Sequence, residues 1–258
     1  MPRRLLLALL LVAGRLASAA EPPPGTILEP LAAPATPSAR VHAEARRILE
    51  QMKASRYSHT TRVDEEEGTY ELDCSGLATV VLKAGAPRSL AAVPHAARRK
   101  RPLAFEFHDA FAAAPADEKG AAAWLRVERL ADSRPGDLIA WRRQEITPGE
   151  STGHVAIVDA VPAREDDGQF RVVVIDSTGK PHGDDSRKEG VTGVGRGTMW
   201  FTVDAAGRPA AFRWRARDGA LNRPPIAIGR AMDREPAQEP GATEPQPASL
   251  PEPRPQGR

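Results

Sequence analysis

At Pro135-Gly136 the apolar pattern of this 258-residue chain changes period. Upstream, apolar residues recur at helical spacing. Ser38 is placed to cap a helix whose apolar positions are Val41, Ala45, Ile48, Leu49 and Met52. An acid-rich loop follows over 64–68. Asp73 then opens a second helix with Leu77, Val80, Val81 and Ala84 on one face, stopped by Gly85 and Pro87. Pro102 opens a third, with Leu103, Phe107 and Phe111 one turn apart. Downstream, residues 137–141, 154–161, 170–176, 198–203 and 210–214 are short, apolar or alternating, and separated by turn residues, which reads as strands. Helices followed by an antiparallel meander define an α+β fold, not a βαβ repeat.

Both ends read as lying outside that fold. Residues 1–20 have the build of a secretory signal: Arg3 and Arg4, nine apolar residues from Leu5 to Ala13, then Ala17-Ser18-Ala19 as a small-residue cleavage site. Nine apolar residues are too few to stay in a bilayer. With no cysteine near the cleavage point, a lipid anchor is excluded. Six prolines mark 21–37 as a linker, and seven between Ala231 and Arg258 mark 231–258 as a tail expected to be disordered. Residues 38–230 remain as one folded domain. The expected location is outside the cytoplasm, in the periplasm, with no stable membrane insertion once the signal is removed. Lys and Arg number 36 against 34 acids, but Arg3, Arg4 and Arg15 belong to the leader, and without them the balance is 33 to 34. A near-neutral domain does not argue for a nucleic-acid partner.

Cys74 is the chain's one cysteine, so no internal disulfide forms. With Asp73 as N-cap, its sulfur lies at the first turn of a helix, beside unpaired N–H groups and the positive end of the dipole. Both favour the thiolate, which is the nucleophile, and the same N–H groups suit an oxyanion. Gly76 leaves room beside the sulfur for a substrate backbone. Gly153-His154 opens one strand and Asp176 ends the next. If the connection is centred near Glu165, His154 and Asp176 stand directly opposite on one face. An aspartate accepting from one ring nitrogen fixes the tautomer and leaves the other for the thiol.

The series Tyr57, Asp73-Cys74-Ser75-Gly76-Leu77, Pro135-Gly136-Asp137-Leu138-Ile139, Gly153-His154-Val155-Ala156-Ile157 and Ile175-Asp176-Ser177-Thr178 resembles the NlpC-type family of papain-like cell-wall cysteine peptidases, over roughly residues 40–200. The resemblance implies a papain-like α+β fold, with the nucleophile helix packed on an antiparallel sheet that supplies the base. It also implies Cys74 as nucleophile, His154 as general base, Asp176 as the orienting residue, and Tyr57, Asp73 and Ser75 as the substrate and oxyanion neighbourhood. Ser58-His59-Thr60 stands where that family usually has a glycine pair, and His59 reads as a surface residue, with a second polar group in the cleft as the alternative. The interval from Cys74 to His154 is also long for the family. The surplus, 88–125, is expected to cover part of the site.

The expected function is therefore a secreted hydrolase of amide bonds in peptidoglycan stem peptides, using no cofactor and no metal. Two rivals stand beside it: a thioesterase or acyltransferase with Phe105, Phe107 and Phe111 shaping a greasy cleft, and a catalytically silent wall-binding module. Arg98-Arg99-Lys100-Arg101 reads as a solvated turn, and the cluster of His182, Asp184 and Asp185 as a surface turn without metal-ligand spacing. Gly193, Gly195 and Gly197 follow no βα unit and carry no nucleotide reading. Trp200 and Trp214 read as core.

Overall fold

A computed structural model describes residues 36–234. The signal sequence at 1–20, the linker up to 35 and the tail from 235 lie outside the described residues. Helix α1 (Pro37–Gln51) starts one residue before the expected cap. Thr36 is the N-cap and its hydroxyl accepts from the Ala39 N–H at 3.2 Å. Proline suits the first helical position because its missing N–H would have no partner there. Ser38 is instead buried in the first turn, its hydroxyl donating to the Ala231 carbonyl. Val41, Ala45 and Ile48 form the buried stripe.

The expected loop is the turn of a small hairpin, with Asp64 ending one strand and residues 65–68 turning into the next. β1 (Ala54–Arg56), β2 (Arg62–Asp64) and β3 (Thr69–Glu71) form a small sheet in the order β1-β3-β2, with Gly68 turning between β2 and β3 at φ +65°. Three-residue strands give too little alternation to be legible. Then come α2 (Cys74–Gly85), the short α3 (Pro87–Ala91) and α4 (Ala104–Ala113). The remaining strands are β4 (Trp124–Arg126), β5 (Leu138–Arg142), β6 (Gly153–Val158), β7 (Ala163–Arg164), β8 (Phe170–Thr178), β9 (Gly193–Val203), β10 (Pro209–Arg213), β11 (Leu221–Asn222) and β12 (Ile226–Ala231). They build one antiparallel sheet ordered β11-β10-β9-β8-β6-β5-β12-β4, with β7 beside β8. The class is α+β, as expected.

Alternation along the central strands sends side chains into two cores. Leu138, Ala140, Val155, Ile157 and Ile175 meet the helices. Ile139, Trp141, Ala156, Val158, Val172 and Val174 face the other way, among Met199, Phe201 and Phe212. This second core is closed by the sheet itself, which curls until β10 approaches β12 although the two are not paired. Strands covered on both faces read as nearly continuous apolar runs, and β5, β6 and β8 do so.

Two boundaries move. Ala231 ends β12 and is buried, and the Asp233 carboxylate accepts from the Arg88 and Ser89 N–H groups at 2.7 and 3.0 Å, so the folded unit extends past the expected start of the tail. Helix α4 also belongs to the core rather than to a lid. Phe107 and Phe111 are fully buried, and Gly229 on β12 lets the Phe111 ring lie against the strand, where a Cβ would stand 2.3 Å from it. These two rings therefore line no cleft, while Phe105, the third expected, is half-buried with the Arg142 guanidinium 5.7 Å over its ring.

The hairpin register differs too. Ile157 pairs with Ile175 and Val158 with Val174, two residues from the expected alignment. The turn is centred later, because Gly168 supplies the left-handed residue (φ +81°) and Asp167 accepts from the Gln169 N–H. A two-residue shift preserves the face. His154 and Asp176 are therefore diagonal neighbours rather than opposed ones, and still meet.

Candidate active site

Asp73 caps α2 as its position implies. Its Oδ1 accepts from the Gly76 N–H at 2.8 Å and from the Ser75 hydroxyl at 3.0 Å. Cys74 is the first helical residue, and among the described residues no carbonyl or side chain accepts from its N–H. That leaves an orphan donor beside the sulfur, where an oxyanion would form. The strand carrying Asp176 is tied to this helix start: Ser177 Oγ donates to the Leu72 carbonyl at 2.6 Å.

His154 Nε2 lies 2.6 Å from Asp176 Oδ2. An ionised carboxylate only accepts, so Nε2 carries the proton and Nδ1 is left for the thiol. Burial alone pushes the His154 pKa down. The negative charge at Cys74, the hydrogen bonds with Asp176 and Cys74, and the Asp176 charge outweigh that and raise it from 6.5 to about 10. Asp176 is fully buried, which by itself would raise its pKa, yet His182 and His154 hold it well below 3.8. The three residues expected to work together are thus brought together.

His182 is the residue that sequence reasoning placed wrongly. It is not in a surface turn. Its side chain is wholly buried, with Nε2 2.7 Å from the same Asp176 Oδ2 and Nδ1 3.3 Å from the Trp214 carbonyl. Arg187 donates to Asp176 Oδ1 at 3.1 Å and holds Asp185. Among the described residues, His154, Asp176 and His182 are the one group whose donor atoms converge closely enough for an ion to be considered. However, ligands about 2.1 Å from a tetrahedral ion stand well over 3 Å apart. The 2.6 and 2.7 Å separations are those of hydrogen bonds.

The other expected residues divide. Tyr57 is half-buried beside the site. Burial, then the negative charges at Cys74 and Asp73, push its phenol pKa upward. Asp73 and Ser75 build the helix start and do not offer their side chains to a cleft. Arg101 belongs to the same structure and not to a solvated turn. It is 14% exposed, donates to Asp73 Oδ2 at 2.8 Å and Ser75 Oγ at 2.5 Å, and reaches Thr61 Oγ1 at 3.1 Å. The surplus segment therefore does touch the site, through this guanidinium and through Asp109, which accepts from the cleft-lining Arg142 at 2.6 Å. His59 is exposed and only grazes Asp73 at 3.4 Å.

A cleft of about 1100 Å³ opens beside these groups, lined by Tyr57, His154, Trp141, Thr178, Phe212 and Trp214 among others. Trp141 lies 4.9 Å from the His154 ring in a tilted stack, and Trp214 meets it edge-on at 5.2 Å. Trp214 is thus a wall of the cleft as well as packed against the second core. Cys74 is 5% exposed and His154 7%; Tyr57 and His154 line the cleft, and Cys74 lies behind them rather than among its lining residues. Among the described residues, no helix is long and apolar enough to cross a membrane. Compared with protein-family models, curated proteins and solved structures, the chain matches none of them.

Proposed function

We propose that the protein is a cysteine hydrolase of amide bonds, of the papain-like arrangement, exported to act on peptidoglycan stem peptides. One observation carries the chemistry: a helix-capping thiol, an imidazole and a buried carboxylate meet beside a cleft. The Cys74 sulfur and the Asp176 carboxylate favour the protonated form of His154, which makes it the proton donor to the leaving group. The sulfur attacks the amide carbonyl carbon and forms the C–S bond. The oxygen takes up negative charge opposite the Cys74 N–H. As the C–N bond breaks, His154 gives its proton to the leaving amine, and a thioester remains on Cys74. Water, losing a proton to His154, then hydrolyses the thioester and releases the acid. The wall substrate and the export rest on the motif series and the leader-like start.

The test is mass spectrometry of wall fragments after incubation with the protein and with Cys74→Ser. New amino termini formed by the parent alone support the proposal. Unchanged fragments with both proteins defeat it. The low exposure of Cys74 favours a second reading, a catalytically silent wall-binding module. Equal wall affinity of the parent and Cys74→Ser, with turnover by neither, would establish that one instead.

A further inference from the structure

The carboxylate that steadies His154 is shared. Oδ2 of Asp176 takes hydrogen bonds from two imidazoles, His154 at 2.6 Å and His182 at 2.7 Å, while Oδ1 takes Arg187 at 3.1 Å. The strand beside it is built to allow this. Gly195 on β9 pairs directly with Asp176, and Gly193 and Gly197 flank it at two-residue steps on the same face. A Cβ on Gly195 would stand 2.4 Å from Arg187 Nε. One on Gly197 would stand 2.7 Å from His182 Cβ and 2.8 Å from Asp185. Gly195 and Gly197 let the loop over 182–187 lie flat on the sheet and bring His182 and Arg187 to the carboxylate, while Gly193 makes room for Ser55 and Arg56 of β1. The same loop is pinned by Asp185, which accepts from the His182 N–H at 2.7 Å and from Arg187. On its far side the His182 ring packs on Trp214, with centroids 4.2 Å apart.

Both nitrogens of His182 face acceptors, the Trp214 carbonyl and the Asp176 carboxylate. It competes with His154 for one oxygen and does not itself line the cleft, whose wall Trp214 it backs. We propose that His182 is a positioning residue: by dividing the Asp176 carboxylate, it limits how firmly His154 holds its proton and so sets the pH range over which the Cys74–His154 pair works. The inference rests on reading that pair as the reactive centre, but not on any particular substrate. The charged groups facing the two imidazoles are Cys74 from α2, Asp176 from β8, and Asp185 and Arg187 from the loop.

The test follows the His154 imidazole by ¹⁵N NMR in histidine-labelled protein, with assignment by His154→Gln. It is run on the Cys74→Ser background, which removes the thiolate charge and brings the titration lower. His182→Ala should move the His154 midpoint up by about 1 pH unit, the low end of what a neighbouring charge or hydrogen bond does. His182→Leu keeps the buried volume without a donor, and covers the case in which alanine leaves the loop unfolded. It should move the midpoint in the same direction. A midpoint that stays in place or falls in a folded variant overturns the inference. Because no turnover is measured, that failure stands apart from failure of the hydrolase reading, which wall digestion decides.

Discussion

Replacing Asp176 by asparagine keeps the shape of the side chain and removes its charge. Asp176 is completely buried and accepts from His154, His182 and Arg187. An amide offers one accepting oxygen and one donating nitrogen, so whichever way it turns, its NH₂ faces a donor. Removing one member of a buried ion pair costs about 3–5 kcal/mol. For a domain of this size each kcal/mol lowers the melting temperature by about 2–4 °C, so a drop of about 6–20 °C is expected.

The pH dependence of that cost is more telling. Asp176 has its pKa depressed below 3.8 in the fold, so its contribution is present above 3.8 and is lost as pH falls through the lower folded value. His154 is raised from 6.5 to about 10, so its contribution is full below 6.5 and fades as pH rises toward 10. The stability gap between parent and Asp176→Asn, read from urea unfolding across pH 3 to 10, should therefore be widest between 3.8 and 6.5 and narrow on both sides. A gap that is constant with pH would show that Asp176 acts by packing alone and would refute the electrostatic reasoning.

Arg101→Ala should destabilise by about 1–3 kcal/mol, because the Asp73 carboxylate and Ser75 hydroxyl lose a charged donor; kcat on a cleaved wall peptide should fall about tenfold, the equivalent of about 1.4 kcal/mol. Phe111→Ala should cost about 3–5 kcal/mol in urea unfolding, yet leave the rate of Cys74 alkylation by iodoacetamide unchanged while the protein stays folded. A changed alkylation rate would mean that α4 shields the sulfur after all. Gly229→Ala should cost about 1–3 kcal/mol by driving a methyl into the Phe111 ring, and Phe111→Leu should recover part of that cost in the double variant. Strictly additive losses would contradict the packing.

Helices α1 and α2 were legible because each carries its own punctuation, whereas α3 begins at the very Pro87 that reads as a stop. Asp73 before Cys74, Gly85 and Pro87 after it, and the stripe through Val41, Ala45 and Ile48 all speak locally. The meeting of His154 and Asp176 was legible for a different reason: a register error of two residues leaves side chains on the same face. His182 was hidden because nothing local marks it. It reaches Asp176 only because β9 presents Gly195 and Gly197 to its loop, and only the pairing of β8 with β9 shows what that bare strip is for. Alternating glycines opposite a strand-end aspartate were the available signal, but they were read only as a failed nucleotide motif. Arg101 was lost in a basic run, since its partners Asp73 and Ser75 lie more than twenty residues upstream. Strand β12 begins just after Pro224-Pro225, and its partner β5 is more than eighty residues away in sequence.

Peptidoglycan stem peptide mixed with the protein, quenched in acid within the first turnovers and mapped by mass spectrometry, reads the state of Cys74 during reaction. The peptide containing Cys74 should carry the mass of the acyl half of the cleaved amide in the parent, and none in His154→Ala. Cleavage that persists in Cys74→Ser, or an acyl mass found on any other residue, would contradict a thiolate nucleophile at the head of α2.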